Sequence, residues 1–223
     1  MAPAGVPHHV VQRGSYRQQT FFTDADCQSY LRFLARATAR RGVRILGFCL
    51  MPNHVHLVVI PDFADSLSRG IGEAHGAYSR WLNHRLGRAG HLWHRRFFAA
   101  PMDRPHLVEA LRYVEVNPVR ARLVGRAEEH RWSSARAHLD GVDSLGMLDM
   151  RLWPELTSAM DWAAMLRAHN QAARMAERIR EATLHGKALG TQQFREDFAR
   201  IRPGAQPKPR GQPRRRSAAA GAP

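Results

Sequence analysis

The feature of the sequence that most restricts the fold is an apolar stretch over residues 43–60, VRILGFCLMPNHVHLVVI, interrupted by Pro52 and Asn53. Large apolar and β-branched side chains dominate both halves, which is typical of β-strands. Proline and asparagine between two such runs are typical of a turn or a bulge. We therefore predict strands over 43–51 and 54–60, joined by Pro52 and Asn53.

The second of these strands carries two histidines, His54 and His56, one residue apart. Side chains alternate between the faces of a strand, so both imidazoles lie on one face with Cα atoms about 7 Å apart. The alternate residues Val55, Leu57 and Val59 then face the helices and the core. Two imidazoles in this arrangement can chelate one divalent ion. The pattern also fits two half-buried histidines on a solvated sheet face, or a zinc, copper or iron site, so the pair alone does not decide.

The remaining elements alternate around this pair of strands. Periodicity and breaking residues predict, in order, a strand over 8–13, a loop over 13–19, helices over 21–42 and 66–87, a strand over 92–102, and a helix that begins at Pro105 and ends at Asn117-Pro118. This order is typical of an α+β fold. We expect a ferredoxin-like antiparallel sheet with its helices on one face.

The length of the chain, 223 residues, predicts one core domain with an appendage. We place the core domain at 7–139. Residues 140–197 show helical periodicity and predict a helical C-terminal extension. Residues 198–223 form a basic tail, in which arginines and a lysine stand among proline, glycine and alanine without any acidic residue. Such a composition is typical of a disordered segment.

The last predicted helix of the core domain presents a tyrosine and an amide together. Its core-facing stripe consists of Leu107, Leu111 and Val114. Tyr113 lies about 130° around the helix from that stripe, and Asn117, four residues on, shares its face. Arg120 and Arg122 follow, where their positive charge would favour a phenolate and attract phosphate. A surface tyrosine with its hydroxyl in water would show the same pattern.

Charge gives the strongest indication of a partner. Lysine and arginine number 34 against 19 aspartate and glutamate residues, a formal net charge of +15. Such an excess predicts a polyanionic partner, and the planar guanidinium of arginine suits phosphate. An arginine-rich codon usage would produce part of the same excess. We expect nucleic-acid contacts from two further sets of arginines: Arg13, Arg17, Arg95 and Arg96 near the sheet, and Arg214, Arg215 and Arg216 in the tail.

Other features of the sequence restrict the cellular context. No stretch approaches the roughly 20 apolar residues of a membrane span, and the first residues lack the order of a signal peptide. Cys27 and Cys49 show neither disulfide nor metal-ligand spacing. We therefore expect a cytoplasmic, nucleoid-associated protein with no membrane partner.

Five stretches of the sequence together resemble one protein family. They are RGSYRQQTFF, CLMPNHVHLVV, GHLWHRRFF, YVEVNPVRARLV and RWSSARAHL, in the family's order between about residues 8 and 139. On them the chain is similar to the REP-associated tyrosine transposases, a branch of the HUH single-strand DNA endonucleases with one tyrosine. A weaker similarity continues into LGTQQFREDF and GQPRRR. One departure is RGSYRQ, where the family tends to have an asparagine-rich loop.

The resemblance implies metal-assisted cleavage of single-stranded DNA. His54 and His56 would hold Mg²⁺ or Mn²⁺, with the side-chain oxygen of Asn117 as the third ligand. Tyr113 would attack the scissile phosphate and form a 5′-phosphotyrosine intermediate, so that strand ends can be rejoined as in DNA transposition. The expected substrate is single-stranded or hairpin DNA from short palindromic repeats, bound by a monomer or a homodimer.

Two other functions fit parts of the pattern. A transposase descendant that binds DNA or RNA hairpins and regulates without cutting would keep the charge but would not need Tyr113. A zinc hydrolase of small substrates would use the histidine pair, but it lacks a third ligand at a suitable spacing and leaves the charge unexplained. Among the other tyrosines, Tyr30 is predicted to lie in the core and Tyr78 has no amide neighbour. Tyr16, in a loop, could stack on a base instead.

Overall fold

The computed structural model describes residues 2–168 and 173–201. The strands in this part of the chain are β1 (His8–Arg13), β2 (Val43–Met51), β3 (His54–Pro61) and β4 (Phe98–Pro101). The α-helices are α1 (Asp24–Arg41), α2 (Ser66–Arg85), α3 (Arg104–Arg120), α4 (Ala135–Asp140), α5 (Trp153–Leu156), α6 (Ala159–Arg167), α7 (Ala173–His185) and α8 (Gln192–Ile201). None of the helices in the described ranges has the length and apolar character that crossing a bilayer requires.

The four strands form one antiparallel sheet in the order β2-β3-β1-β4. A chain that runs strand, helix, two strands, helix and strand in this order has the ferredoxin-like topology, so the predicted α+β class is confirmed. β1 and β3 lie in the middle, with Val11 opposite His56 and Arg13 opposite His54. Directly opposite residues share a face, so the histidines of β3 and alternate residues of β1 point to the same side.

Each face of the sheet is covered by its own hydrophobic core. On one face α1 and α2 pack against Val55, Leu57 and Val59, as the alternation in the sequence predicts. On the opposite face α3 packs over β2 and β3, against Val58 and Ile60, and α7 packs over β4 and β1. The expected placement of helices on one face therefore holds for α1 and α2, whereas α3 and α7 cover the face that carries the histidines. Because that second face is largely apolar, covering it removes hydrophobic surface from water.

Two predicted boundaries are wrong. The strand predicted over 92–102 forms only at Phe98–Pro101. Residues 92–97, which precede it, pair as β-structure only through one isolated bridge between Gly14 and Trp93. The helix predicted to end at Asn117-Pro118 continues to Arg120. Proline lacks one N–H donor but its φ is compatible with a helix. The last turn is also held by the N–H of Ala121, which donates to the carbonyl of Asn117.

Close contact between α3 and β2 is helped by Gly47. A Cβ atom at this position would lie 2.5 Å from a methyl carbon of Leu111, so a side chain here would require Leu111 to move. A β-bulge between Ile45 and Gly47 also shifts the register of β2 against β3 here. The absence of a side chain at Gly47 therefore leaves room for Leu111 of α3 against the sheet.

The helical C-terminal extension shares a core with the sheet. Trp162 of α6, Ile179 of α7 and Leu189 all belong to the core on the α3 face, and the N–H of Leu189 donates to the carbonyl of Pro101 in β4. α8 continues past the predicted start of the tail at residue 198 and ends at Ile201. Residues 202–223 of the predicted tail lie outside the described residues, and the predicted domain boundaries stay predictions.

A buried carboxylate joins α3 to the segments that follow it. Glu115 is fully buried. Its Oε1 atom accepts hydrogen bonds from the Ser134 hydroxyl and from Nδ1 of His138, both at 2.5 Å. Its Oε2 atom accepts from the indole N–H of Trp162 at 2.9 Å. Since Ser134 and His138 belong to the N-cap and body of α4 and Trp162 belongs to α6, this one side chain fastens α3 to α4 and α6.

Replacing Glu115 should therefore destabilise the fold strongly. Glu115→Ala leaves two buried donors, Nδ1 of His138 and the indole N–H of Trp162, without an acceptor and removes the hydrogen bond from Ser134. We expect the free energy of unfolding to fall by about 3–5 kcal/mol. Chemical denaturation measures this change. The matched control is Glu181→Ala, which removes an exposed glutamate of α7 and should change stability by about 0.5 kcal/mol or less. Equal losses in the two variants would contradict the structural role of Glu115.

Candidate active site

A cleft of about 530 Å³ opens on the α3 face of the sheet, where β1 ends and β3 begins. His54, His56, Tyr113 and Asn117 all line it. Two of these residues come from β3 and two from α3, all within one chain. The structure therefore brings together the four residues that the sequence analysis selects as nucleophile and metal ligands.

His54 lies half-buried at the start of β3, where Asn53 holds its ring. Nδ1 of His54 is 2.6 Å from Oδ1 of Asn53, whose Nδ2 donates to the carbonyl of Arg17. An amide oxygen only accepts, so Nδ1 of His54 carries the proton and Nε2 keeps its lone pair. Burial and the nearby charge of Arg13 lower the pKa of His54 to about 4, which keeps the ring neutral at pH 7.

His56 is more deeply buried, only 4 % exposed, and stacks on His9 of β1 with ring centroids 5.2 Å apart. Nδ1 of His56 lies 3.0 Å from Nε2 of His9, and Nδ1 of His9 lies 2.7 Å from the hydroxyl oxygen of Thr183 in α7. Burial lowers the pKa of His9 to about 3 and the pKa of His56 well below its ordinary value. The interpretation of His56 as a residue on a solvated face is therefore wrong, because α3 and α7 cover it.

Tyr113 lies edge-on against the same pair of rings. Its ring centroid is 5.5 Å from that of His9 and 5.6 Å from that of His56, nearly perpendicular to both. The guanidinium carbon of Arg120 lies 5.2 Å from the centroid of the tyrosine ring. Tyr113 lines the cleft but is only 8 % exposed. It is therefore not the solvated surface tyrosine that the sequence analysis leaves open.

Asn117 follows Tyr113 by one turn because α3 continues through Pro118. Its Nδ2 atom donates to the carbonyl of Tyr113 at 2.9 Å. Among the residues that the structure describes, no side chain or backbone group donates to its Oδ1 atom. Oδ1 of Asn117 is thus left to meet a ligand in the cleft.

The donor set in the cleft fits a divalent cation. Two neutral imidazoles, each with Nδ1 engaged and Nε2 facing no protein partner among the described residues, and one amide oxygen can bind a cation and leave coordination positions for phosphate oxygens. No group of three histidine, cysteine or carboxylate side chains suited to a metal occurs within residues 2–168 and 173–201. Among the side chains that line the cleft, the amide oxygen of Asn117 is available as a third protein donor beside His54 and His56.

The cleft is strongly basic. Arg13, Arg17, Arg120 and Arg180 line it, and none of the described residues in its lining is acidic. Uncompensated positive charge in a cleft attracts anions, and guanidinium groups match phosphate oxygens. The site can therefore hold a phosphodiester beside the two histidines.

The other arginines selected from the sequence lie outside this lining. Arg95 and Arg96 are exposed in the segment that runs beside the end of β1, where the side chain of Gln12 donates to the carbonyl of Arg95. Arg122 is exposed just after α3, so Arg120 and not Arg122 lies against the tyrosine ring. Three more fall outside the described residues: Arg214, Arg215 and Arg216.

Sequence reasoning missed three residues of the cleft, namely His9, Arg180 and Thr183. His9 shares a face of β1 with Arg13 by strand alternation, which could have marked it. Its contact with His56 depends on the register between β1 and β3, which no local pattern reveals. Arg180 and Thr183 are three residues apart on α7, and their spacing carries no signal that points to a cleft.

Comparison with known proteins identifies the family of the chain. Residues 5–117, just over half of the chain, match the family model described as Transposase IS200 like. The chain therefore belongs to the IS200-like transposase family, and the predicted family resemblance is confirmed. The matched segment contains both histidines of β3 and ends at Asn117. No curated protein matches the chain.

Two solved structures are similar. One is described as a REP-associated tyrosine transposase bound to a REP hairpin; it has a TM-score of 0.55 and 17 % identity, and the alignment covers 65 % of this chain and 86 % of that chain. The second, from Deinococcus radiodurans R1, is described as a candidate transposase, with a TM-score of 0.38, 15 % identity and coverage of 53 % and 85 %. The first shares the fold of this chain.

Lowering the pH should destabilise the protein already at pH values above those at which carboxylates ordinarily titrate. Burial lowers the pKa values of His9, His54, His56 and His75 in the folded state, to about 4 for His54 and about 3 for His9 and His75. Unfolded imidazoles titrate near 6.5. Between pH 6.5 and about 4 the unfolded chain thus binds more protons, so the free energy of unfolding falls as pH falls, by up to about 1.4 kcal/mol per pH unit for each ring.

Chemical denaturation between pH 7.5 and 4.5, in chelator, measures this dependence. His75→Gln keeps a hydrogen-bonding partner for the hydroxyl of Tyr30 but removes one imidazole. The slope of the free energy of unfolding against pH reports how many more protons the unfolded state binds. In this variant we expect that number to decrease by about one. Stability that is constant over this range would contradict the neutral state of the buried rings.

Proposed function

We propose that this chain is a metal-dependent single-strand DNA endonuclease and strand transferase that cuts at palindromic repeat hairpins through a 5′-phosphotyrosine intermediate. The observation that carries the proposal is the single cleft in which Tyr113, His54, His56 and Asn117 meet among arginines. Membership of a transposase family supports the class of reaction.

Tyr113 supplies the nucleophile. The phenolic oxygen attacks phosphorus and gives up its proton to solvent, the bond to the 3′ oxygen breaks, and that oxygen takes up a proton to become a 3′-hydroxyl. The phosphate stays joined to the 5′ side as a tyrosine ester. The ester conserves the energy of the phosphodiester, so a 3′-hydroxyl from another strand end can displace the tyrosine without ATP. Arg120, beside the ring of Tyr113, stabilises negative charge on the phenolate and the phosphate.

His54, His56 and Asn117 are the proposed ligands of Mg²⁺ or Mn²⁺, which when bound polarises the scissile phosphate and offsets its developing charge. Nδ1 of each imidazole is engaged, with Asn53 in one case and His9 in the other. Each ring therefore has Nε2 left to bind. Because both rings are neutral at pH 7, no proton has to leave them first.

The proposed substrate follows from charge and from the structural relative. Four arginines in the cleft favour contact with phosphates along a strand, with affinity that falls as salt rises. The REP-associated relative is bound to a REP hairpin, and we extend hairpin binding to this chain. Unpaired nucleotides beside such a hairpin would place a scissile phosphate in the cleft without strand opening.

A hairpin-binding regulator that does not cut is the alternative function. The observation in its favour is the burial of Tyr113, whose ring lies edge-on against His9 and His56 and is only 8 % exposed. The presence of Tyr113, both histidines and Asn117 in one cleft favours cleavage instead. The same experiment decides between the two.

Tyr113→Phe should abolish the covalent protein–DNA adduct while hairpin binding is retained. The substitution removes the nucleophilic oxygen and leaves the ring contacts with His9 and His56 in place. A denaturing gel after incubation with single-stranded hairpins from the host's repeats and Mn²⁺ detects the adduct. The control is Tyr16→Phe, which changes an exposed tyrosine and should form the adduct normally. An undiminished adduct in Tyr113→Phe would mean that another residue attacks.

His54→Ala should reduce cleavage by at least about 100-fold, because loss of a ligand removes much of the cation's stabilisation of charge. His54 is half-buried, so the melting temperature of the His54→Ala protein should differ from that of the wild type by only a few degrees. Single-turnover cleavage in saturating Mn²⁺ and thermal melting measure the two effects. His91→Ala, an exposed histidine outside the cleft lining, is the control. Normal cleavage by His54→Ala would rule out the ligand assignment.

A further inference from the structure

A chain of hydrogen bonds connects α7 with one of the proposed metal ligands. The hydroxyl oxygen of Thr183 lies 2.7 Å from the carbonyl oxygen of Ile179, one turn earlier in α7, and 2.7 Å from Nδ1 of His9. Nε2 of His9 lies 3.0 Å from Nδ1 of His56. Thr183, His9 and His56 are all buried, so water does not compete for these partners.

The direction of each hydrogen bond follows from the chemistry of its atoms. A carbonyl oxygen only accepts, so the hydroxyl of Thr183 donates to Ile179 and its oxygen is left to accept from Nδ1–H of His9. A neutral imidazole carries a single proton, so Nε2 of His9 accepts and Nδ1–H of His56 donates to it. The proton of His56 therefore resides on Nδ1, and its Nε2 atom holds the lone pair.

We propose that α7 sets the tautomer of His56, through Thr183 and His9, and thereby prepares Nε2 of His56 to bind the cation. This inference rests on the proposed function, since His56 is one of the proposed ligands. Thr183 and His9 are positioning residues, because each acts through the next ring. Without the acceptor at Thr183, His9 could carry its proton on Nε2, and His56 would then have to accept at Nδ1 and keep its proton on the atom that binds.

Arg180 gives α7 a second role at the same place. It lies one turn before Thr183 on the same side of α7, and it lines the cleft. One side of this helix therefore presents a hydrogen-bond acceptor to His9 and a positive charge to the substrate space. The family match ends at residue 117, so both contributions come from outside the matched segment.

The tautomer can be measured directly in full-length protein without metal or DNA. Long-range ¹H–¹⁵N correlation spectra of ¹⁵N-histidine-labelled protein distinguish Nδ1–H from Nε2–H in a neutral ring. Wild-type His56 should be protonated on Nδ1. Thr183→Val keeps the size of the side chain but removes the acceptor, and should shift His56 to a mixture of tautomers. Thr183→Ser should restore the wild-type spectrum.

Titration with Mn²⁺ tests the consequence for binding. Thr183→Val should weaken Mn²⁺ affinity by about 10- to 100-fold, the usual effect of losing a residue that orients a ligand, and Thr183→Ser should bind like the wild type. Thr38→Val is the matched control. Thr38 is buried in α1 and its hydroxyl donates to the carbonyl of Leu34 at 2.7 Å, as Thr183 does to Ile179, but it contacts none of these histidines.

An unchanged tautomer of His56 in Thr183→Val would overturn the proposal, and so would a changed tautomer with unchanged Mn²⁺ affinity. Thr183→Ala, which demands no extra space, replaces the valine variant if that variant does not fold. None of these readouts requires cleavage. A wild type that binds Mn²⁺ but never forms the tyrosine adduct would refute the proposed function and leave the tautomer result standing.

A second inference comes from an exposed aromatic ring beside the cleft. Tyr16 is fully exposed in the turn between β1 and α1. Tyr16 and Arg17 have φ angles of 52° and 61°, in the left-handed region that residues other than glycine adopt at a cost. The turn is anchored at both ends, because the N–H of Gly14 donates to the carbonyl of Asn53 and the side chain of Gln18 donates to that of Leu92. An anchored, strained turn that places a bare ring in water is typical of a binding site.

We infer that Tyr16 is a platform on which one unpaired base of the DNA stacks. Arg17, the next residue, lines the cleft, so a strand whose phosphate meets Arg17 carries a base to the adjacent ring. Stacking on an aromatic side chain changes affinity by about 5- to 150-fold and tolerates any base. This inference also rests on the proposed function, because it requires a single-stranded segment.

The test compares affinities for a repeat hairpin with a single-stranded flank. Tyr16→Asn removes the ring but suits the left-handed backbone, and should weaken binding at least about fivefold; Tyr16→Phe should not. Phe63→Asn removes an exposed ring at the opposite end of β3 and is the control. Each flanking nucleotide is then made abasic in turn. At one position, removal of the base should leave Tyr16→Asn and wild type with equal affinity for the DNA.

Equal affinities of Tyr16→Asn and wild type would overturn the stacking role alone. The stacking role would also be overturned if the loss of affinity from Tyr16→Asn added to the loss from the abasic substitution at every position. No single base would then depend on the ring. A wild type that does not bind the hairpin at all would refute the proposed function together with this inference.

Discussion

The pairing of β1 with β3 is the interaction on which the rest of the site depends. Its register places His9 and Arg13 on the same face as His54 and His56. A slip of one residue would turn the side chains of β1 to the opposite face, into the core beneath α1 and α2. Both strands are central and each face has its own core, so two sets of apolar contacts fix the register at once.

One helix then completes the cleft because its two sides have different tasks. Tyr113 and Asn117 are one turn apart and face the sheet's histidines. Glu115 lies two residues from each of them, roughly on the other side of the helix, where three buried donors hold it. The side that faces the cleft is thus placed by the side that anchors the helix, and Gly47 leaves room for Leu111 against the sheet.

The sequence predicts those parts of the structure that local patterns encode. Alternation in β3 correctly separates Val55 from the two histidines, and helical spacing places Tyr113 with Asn117. The contact between His9 and Thr183 spans 174 residues, and no periodicity within either segment indicates it. The burial of Tyr113 and His56 was missed for the same reason, since it depends on where α7 packs. Local signals also misplaced the end of α3, because a proline near a helix end removes only one hydrogen bond.

All the groups proposed to react in the cleft belong to one chain with one tyrosine there, and Glu115 ties the helix that carries it to its own protomer. Under the proposed chemistry such a protomer holds a single strand end covalently at any moment. Moving a DNA segment involves two breaks and two joins. One molecule must therefore release its first end to a 3′-hydroxyl before it cuts again, or two molecules must meet on the DNA with their helices in place. The number of nucleophiles per cleft, and not the affinity for either end, would then dictate the order of strand exchange.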